Sequence, residues 1–265
     1  MKLNVFLLAV FFVVLTSFAA HAANHNETEE DDLNVESVTI LASTSMAVPI
    51  TEISKNYSRL NNIDINTVYD ASGELVNKIK EGDPADIIIT PSKFYIDQMK
   101  EGGLLDPASI KIIAANNLSI VAAKEFKINK SDDIKNILEQ IHNKTLMVIA
   151  NPEDTSLGSY TKQSLEKLDL WKIFEGRVVP APTATKVVDF VTKGQSAGIV
   201  YTTDAILYAS QLQLLGQIPP SVHEPVNYYA AIVIGANMDK SKKFMDYLNT
   251  APAKNIFTAH GFLLK

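Results

Sequence analysis

The sequence predicts an α/β fold in which mainly parallel sheets are flanked by helices. Short apolar runs typical of strands alternate with helical patterns from Ser37 onward, and the loops between them are short. The run at 87–89 is apolar throughout and is closed by Thr90-Pro91, as expected of a buried strand. Such alternation is typical of parallel sheets covered on both faces, and the chain is long enough to build two lobes of this kind.

The predicted elements follow one another in order along the chain. Strands are predicted where β-rich apolar runs occur, at 38–41, 65–69, 87–89, 110–114, 118–123, 146–149, near Val178, at 198–200 and at 230–234. Helices are predicted at 46–60, 73–81, 92–101, 132–141, 158–168, 185–193, 240–248 and 252–260. Ligands of such sheets bind beyond the carboxyl ends of the strands, so a site is expected at the turns that leave them.

The N-terminal residues predict export. Lys2 precedes an apolar run at 5–18, and Ala22 ends a cleavage site with small residues at the required positions. We therefore expect residues 1–22 to be a cleaved signal peptide, residues 23–36 to be an acidic tether, and the mature protein to be periplasmic. A retained membrane anchor is the alternative, although the apolar run is short for a membrane span.

The composition argues against several kinds of site. The chain has no cysteine, which removes disulfides, metal thiolates and thiol nucleophiles. Its formal net charge is −6 without a cluster of Lys and Arg, so nucleic acid is not an expected partner. The histidines are scattered without the spacing of metal ligands, and neither a protein metal site nor a cofactor is expected.

Four of the turns that leave predicted strands carry hydroxyls or small residues. They lie at 42–46, 70–75, 151–158 and 198–204. N–H groups at the start of a helix lack intrahelical partners, and the helix dipole adds about half a unit of positive charge there. Such a turn binds anions without needing Lys or Arg. The simpler interpretation of each Ser or Thr, taken alone, is that it caps the helix.

The same turns, in the same order, resemble those of the periplasmic molybdate-binding proteins of ABC transporters. The matching stretches are 42–45 (ASTS), 71–75 (ASGEL), 82–86 (GDPAD), 151–153 (NPE), 158–160 (GSY) and 198–205 (GIVYTTDA). The resemblance extends from about Val38 to Phe262. It implies a two-lobed type II periplasmic-binding-protein fold, with residues 37–115 and 225–265 in the first lobe and residues 116–224 in the second.

The resemblance also implies a ligand and the residues that bind it. Ser45 and Ser72 match hydroxyls that bind the oxyanion from the first lobe. Leu157 and Ala184 match residues that offer a backbone N–H, and Tyr201 matches a phenol that donates from the second lobe. The implied function is capture of molybdate or tungstate for delivery to the membrane permease of an ABC importer. We take a monomer as the default, and we expect a binding protein rather than an enzyme.

Several features leave alternatives open. Acidic side chains stand close in sequence to these donors at Asp70, Glu74, Glu153 and Asp154. Leu157 is bulkier than the small residue usual in the family. Binding of another anion, such as sulfate or a small organic anion, is one alternative, and a surface receptor or adhesin that reuses the fold is another. A hydrolase with Ser45 or Ser72 as nucleophile would need a positioned base, and no His or Lys falls in the candidate turns.

Overall fold

The computed structural model describes residues 37–129 and 131–265. The predicted signal peptide (1–22) and acidic tether (23–36) lie outside these residues. Within the described part of the chain, ten strands form two five-stranded sheets. No helix of that part is long and apolar enough to cross a membrane.

Sheet 1 combines strands from both ends of the described chain. Its strands are β1 (Ser37–Ser43), β2 (Asp64–Asp70), β3 (Ile87–Thr90), β4 (Lys111–Asn116) and β10 (Val226–Ile232). They lie side by side in the order β2-β1-β3-β10-β4. Strand β1 is parallel to β2 and β3, whereas β10 is antiparallel to both of its neighbours. Four of the five strands therefore run in one direction.

Sheet 2 is built from the middle of the chain. Its strands are β5 (Leu118–Ala123), β6 (Met147–Ala150), β7 (Val178–Ala181), β8 (Ala197–Tyr201) and β9 (Leu212–Gln217). Their order is β7-β6-β8-β5-β9, with β6 parallel to β7 and β8, and β5 antiparallel to β8 and β9. The prediction of mainly parallel sheets is confirmed in both.

Each sheet is accompanied by its own helices. Those of sheet 1 are α1 (Ala47–Asn61), α2 (Ser72–Glu81), α3 (Lys93–Glu101), α9 (Met238–Tyr247) and α10 (Ala251–Ala259). Those of sheet 2 are α4 (Ile134–Lys144), α5 (Ser156–Lys167), α6 (Trp171–Phe174), α7 (Ala184–Lys193) and α8 (Thr202–Leu207). We refer to sheet 1 with its helices as the first lobe and to sheet 2 with its helices as the second lobe.

Strand β3 shows why helices cover sheet 1 on both faces. Successive side chains of a strand point to opposite faces. Ile87 and Ile89 belong to one buried cluster with Ile50 of α1, whereas Ile88 belongs to another with Leu75 of α2. Burial of each such side chain contributes about 1.5–3 kcal/mol, so a continuously apolar strand is stable only between two layers of helices.

The elements that the sequence pattern missed are short or lie at an edge. Helix α6 is a single turn, too short to show a helical period. Strand β9 forms an edge of sheet 2, is largely half-buried and contains Gly216, which weakens its strand pattern. Helix α5 begins at Ser156, two residues before the predicted start at Gly158.

Candidate functional site

A small cavity of about 20 Å³ lies where turns from the two lobes meet. Its lining residues are Ser43, Thr44, Ser45, Asp70, Ala71, Ser72, Pro91, Thr155, Ser156, Leu157, Ala184 and Tyr201. The structure thus brings together all five residues proposed as oxyanion ligands, three from the second lobe and two from the first. Their role in binding stays a prediction.

Helix capping does not account for the serines of the cavity. Helix α2 has Ala71 at its N-cap and receives no side-chain cap, so the hydroxyl of Ser72 is not engaged in that role. At the start of α5 it is Thr155 whose hydroxyl accepts from the N–H of Gly158, at 3.0 Å. Thr183 likewise accepts from the N–H of Lys186 at the start of α7. The threonines cap these helices, and the serine hydroxyls point elsewhere.

Ser72 is the centre of a cluster of hydroxyls. Its Oγ lies 2.8 Å from Oγ of Ser43 and 2.8 Å from Oγ of Ser156, which belongs to the other lobe. Thr90 donates its hydroxyl to Ser72 over 2.9 Å, while accepting from the N–H of Ser92. We call Ser43, Ser72 and Ser156 the serine trio. Each of the three is buried.

The hydroxyl of Ser45 accepts a hydrogen bond from a tyrosine of strand β10. The hydroxyl of Tyr228 on β10 donates to Oγ of Ser45 over 2.9 Å. Burial raises the pKa of Tyr228, which keeps the phenol protonated and able to donate. Since Ser45 accepts this bond, its own hydrogen is available for a ligand in the cavity.

Tyr201 carries a buried hydroxyl that bonds to none of the described residues. The side chain is 1% exposed, and its hydroxyl oxygen is shielded from solvent without a hydrogen-bond partner. Burial raises the pKa of this phenol well above its ordinary value, so it is a neutral donor. A buried hydroxyl without a partner is costly, and this one lines the cavity, where a bound ligand would accept its hydrogen.

Two backbone donors also border the cavity. Leu157 and Ala184 are the second and first residues of α5 and α7, and N–H groups at these positions have no acceptor within the helix. Helix α5 begins this close to β6 because position 158 is Gly, where a Cβ would lie 2.4 Å from the carbonyl oxygens of Ala150 and Asn151. The Leu157 side chain is buried in the core.

None of the twelve lining residues is Lys or Arg, and one of them is an acid. Asp70 is half-buried, and its Oδ1 accepts from the N–H of Ala71 at 2.8 Å. The other three acids singled out in the sequence, Glu74, Glu153 and Asp154, are exposed. Neutral hydroxyls and N–H groups are therefore the donors of this cavity.

Direct contacts between the lobes surround the cavity. The N–H of Gly73 donates to the carbonyl of Asp154 at 3.1 Å, in a position where a Cβ would lie 3.0 Å from the same oxygen. The hydroxyl of Tyr160 donates to the carbonyl of Pro91 at 2.6 Å. These bonds, with the one between Ser72 and Ser156, hold the two lobes together around the cavity.

A buried acid lies three residues beyond Tyr201. Asp204 is 4% exposed, its Oδ2 has no partner among the described residues, and burial raises its pKa to about 7. The folded protein therefore holds a proton on Asp204 at pH values where the unfolded chain does not. Keeping this carboxyl buried therefore destabilises the folded protein as the pH rises. The destabilisation is absent below the pKa of the unfolded chain and is complete well above the folded-state pKa of about 7.

We expect Asp204→Asn to remove a pH dependence of stability. Because burial raises the pKa of Asp204 from 3.8 to about 7, the free energy of unfolding of the wild type should fall by about 2–3 kcal/mol between pH 5 and pH 8. The variant should show a smaller fall and be the more stable protein at pH 8. Urea unfolding at both pH values measures this, and equal slopes for the two proteins would contradict it.

Several residues that complete the site are not distinguished by the sequence pattern. Ser43 and Ser156 lay within candidate turns, but their sequence positions did not show that they contact Ser72. Thr90 was seen only as the end of a strand. Tyr228 lies 183 positions from Ser45, and only the antiparallel insertion of β10 into sheet 1 brings the two together. No group of three or more His, Cys, Asp and Glu within residues 37–129 and 131–265 is arranged to hold a metal ion.

Known relatives of this chain include two curated molybdate-binding proteins. The chain is 26% identical over 234 residues to the molybdate-binding protein ModA of Escherichia coli (strain K12), which covers 86% of this chain and 89% of that protein. It is 26% identical over 230 residues to ModA of Haemophilus influenzae, and this match covers 86% of this chain and 90% of that protein.

The fold is shared with a solved structure of similar size. The periplasmic molybdate-binding protein of Azotobacter vinelandii superposes with a TM-score of 0.74 at 17% identity, covering 86% of this chain and 99% of that one. This likeness confirms the two-lobed periplasmic-binding-protein fold. The sequence profile of one family, described as bacterial extracellular solute-binding protein, matches residues 38–263. Since this match spans most of the chain, the protein belongs to the family of bacterial extracellular solute-binding proteins.

Proposed function

We propose that this protein captures a tetrahedral oxyanion, molybdate or tungstate, outside the cytoplasm and delivers it to the permease of an ABC importer. The observation that carries the proposal is the buried hydroxyl of Tyr201, which has no hydrogen-bond partner among the described residues and lines the same cavity as Ser45 and Ser72. The names of the curated relatives support the choice of ligand.

Neutral donors are sufficient to bind a dianion here. The proposed donors are the hydroxyls of Ser45, Ser72 and Tyr201 and the N–H groups of Leu157 and Ala184. Hydrogen bonds to charged groups contribute about 1.5–3 kcal/mol each, so five give on the order of 10 kcal/mol. Association costs at least about 4 kcal/mol. The remainder corresponds to a Kd on the order of tens of micromolar, and each further donor tightens it.

The character of the donors favours an inorganic oxyanion over an organic acid. A carboxylate ligand is normally bound by the fork of an Arg side chain, and the lining residues include no Arg. The hydroxyls of Ser45 and Ser72 are also poor candidates for catalysis. Their neighbours are other hydroxyls, and the cavity offers no His or Lys to act as a base. The proposed role is therefore binding without turnover.

The size of the cavity implies that the lobes move. A volume of about 20 Å³ admits roughly one water molecule, and a tetrahedral oxyanion is larger. Entry of the anion requires the contacts between Gly73 and Asp154 and between Tyr160 and Pro91 to open. We infer hinge closure on the anion, driven by donors that both lobes supply together only in the closed form.

We also propose how the chain is divided between the lobes and where the protein acts. The lobes are residues 37–115 with 225–265, and residues 116–224, so that the chain crosses between them twice. The protein acts as a monomer in the periplasm after cleavage of a signal peptide near Ala22. Its partners are the anion and the permease, and nucleic acid is not among them.

Calorimetric titration of residues 23–265 with molybdate, tungstate, sulfate and phosphate tests the function. We expect one-to-one binding of molybdate and tungstate with a Kd of about tens of micromolar or lower, and far weaker binding of sulfate. Small-angle scattering of the same samples should show a smaller radius of gyration with molybdate. Sulfate binding as tight as that of molybdate would favour the sulfate alternative. No binding of any oxyanion would favour a small organic anion or a role as receptor or adhesin.

A further inference from the structure

The serine trio contains two hydroxyls, those of Ser43 and Ser156, that are not among the five proposed ligands. Ser156 is the first residue of α5, is 5% exposed and lines the cavity, and its Oγ lies 2.8 Å from Oγ of Ser72. Because Thr155 provides the cap of α5, the hydroxyl of Ser156 is not needed to satisfy the helix. The hydroxyl of Ser156 is therefore free to bond within the cavity.

The bonding capacity of Ser72 determines what Ser156 can do. A hydroxyl has one hydrogen and two lone pairs. Thr90 donates to one lone pair of Ser72, and Ser43, which is in the same lobe, can donate to the other. The hydrogen of Ser72 then points to Ser156 when the cavity holds no anion. In this arrangement Ser156 accepts from Ser72, and both lone pairs of Ser72 are occupied by Thr90 and Ser43. The hydrogen of Ser156 is therefore not used by Ser72, and it is available to donate to an anion in the cavity.

We propose that Ser156 is a specificity-determining ligand whose hydroxyl donates to the bound oxyanion from the second lobe. This inference rests on the proposed function. Ser43 and Thr90 keep Ser72 oriented in the first lobe, and closure brings Ser156 to the anion beside Leu157. Ser72 and Ser156 belong to different lobes, so donors spaced for molybdate or tungstate make longer and weaker hydrogen bonds to the smaller sulfate. Ser156 therefore favours molybdate and tungstate over the smaller sulfate.

Titration of Ser156→Ala with molybdate and with sulfate tests the proposal. One hydrogen bond to a charged group corresponds to about a ten- to hundredfold change in Kd, so molybdate binding should weaken by about that factor. Sulfate binding should weaken less, and the preference for molybdate should fall. Ser159→Ala, the same change on the same helix, is the matched control and should leave both Kd values unchanged. Ser156→Thr keeps the hydroxyl and should retain the preference.

Two outcomes would overturn the proposal. If Ser156→Ala binds molybdate as tightly as the wild type, Ser156 is not a ligand. If it weakens molybdate and sulfate by the same factor, Ser156 only stabilises the closed form through its bond to Ser72 and does not select the anion. Failure of the wild type to bind any oxyanion would be a different result, because it would contradict the proposed function itself.

Discussion

Replacing Tyr201 with Phe should weaken molybdate binding about ten- to hundredfold without lowering the stability of the protein, since a hydrogen bond to a charged group contributes about 1.5–3 kcal/mol. In the wild type the buried hydroxyl of Tyr201 has no partner among the described residues, so its removal breaks no hydrogen bond to them. The free energy of unfolding without anion should therefore be unchanged or higher, because an unpaired buried hydroxyl is unfavourable. Calorimetry and urea unfolding measure the two quantities separately.

Tyr57→Phe is a matched control for this prediction. Tyr57 is also buried, but it lies in the first lobe, where its ring contacts Phe244 edge to face at 5.1 Å. The same loss of a phenolic hydroxyl there should leave the Kd for molybdate unchanged. If Tyr201→Phe retains wild-type affinity, the phenol is not a ligand, and the second lobe acts through its backbone N–H groups and Ser156 alone.

The fold could be predicted because each strand and helix carries its own pattern. The apolar run 87–89 and the helical period at 73–81 appear as β3 and α2, and the order of elements fixes two sheets covered by helices. The residue pattern does not show in which direction, or between which neighbours, a strand enters its sheet. Nothing in the residues 226–232 shows that β10 enters sheet 1 antiparallel between β3 and β4. Its position is set by pairing with strands that are more than 100 residues earlier in the chain, after the second lobe has been completed.

The sequence indicated where the candidate site lies, but not which of its side chains contact one another. The turns at the carboxyl ends of strands indicated where donors would lie, and the five proposed residues do line one cavity. The sequence did not show which hydroxyls cap helices, because Thr155 and Ser156 are adjacent and chemically alike. Capping is decided by backbone geometry at the helix start, where Thr155 bonds to Gly158 and Ser156 is directed toward Ser72.

The sequence indicated that Asp70 lies near the proposed donors. Its surroundings limit how strongly it repels a bound anion. Asp70 lines the cavity, and a carboxylate beside a dianion is repulsive. One of its oxygens accepts from the N–H of Ala71, and the side chain is half-buried rather than enclosed. Solvent therefore screens part of its charge, and the donors of the two lobes have to outweigh the rest.

Ser72→Ala should have the largest effect of any single change in the cavity, because it removes a ligand donor and the centre of the serine trio together. Molybdate affinity should fall about a hundredfold or more, since the donor itself contributes about 1.5–3 kcal/mol and Ser43 and Ser156 lose their orientation. Unlike Tyr201→Phe, this change should also destabilise the protein. Thr90 is fully buried, and the loss of its acceptor should lower the free energy of unfolding by about 1–3 kcal/mol.

Ser54→Ala separates these effects from the general loss of a buried serine hydroxyl. Ser54 is buried in α1, and its Oγ has no partner among the described residues. Its replacement should leave the Kd for molybdate unchanged and should not lower the free energy of unfolding, because it removes a buried hydroxyl that makes no hydrogen bond to the described residues. Ser72→Ala with wild-type affinity would exclude Ser72 as a ligand. A fall in affinity without any loss of stability would instead show that Thr90 finds another acceptor, and that Ser72 is a ligand but does not organise the hydroxyls around it.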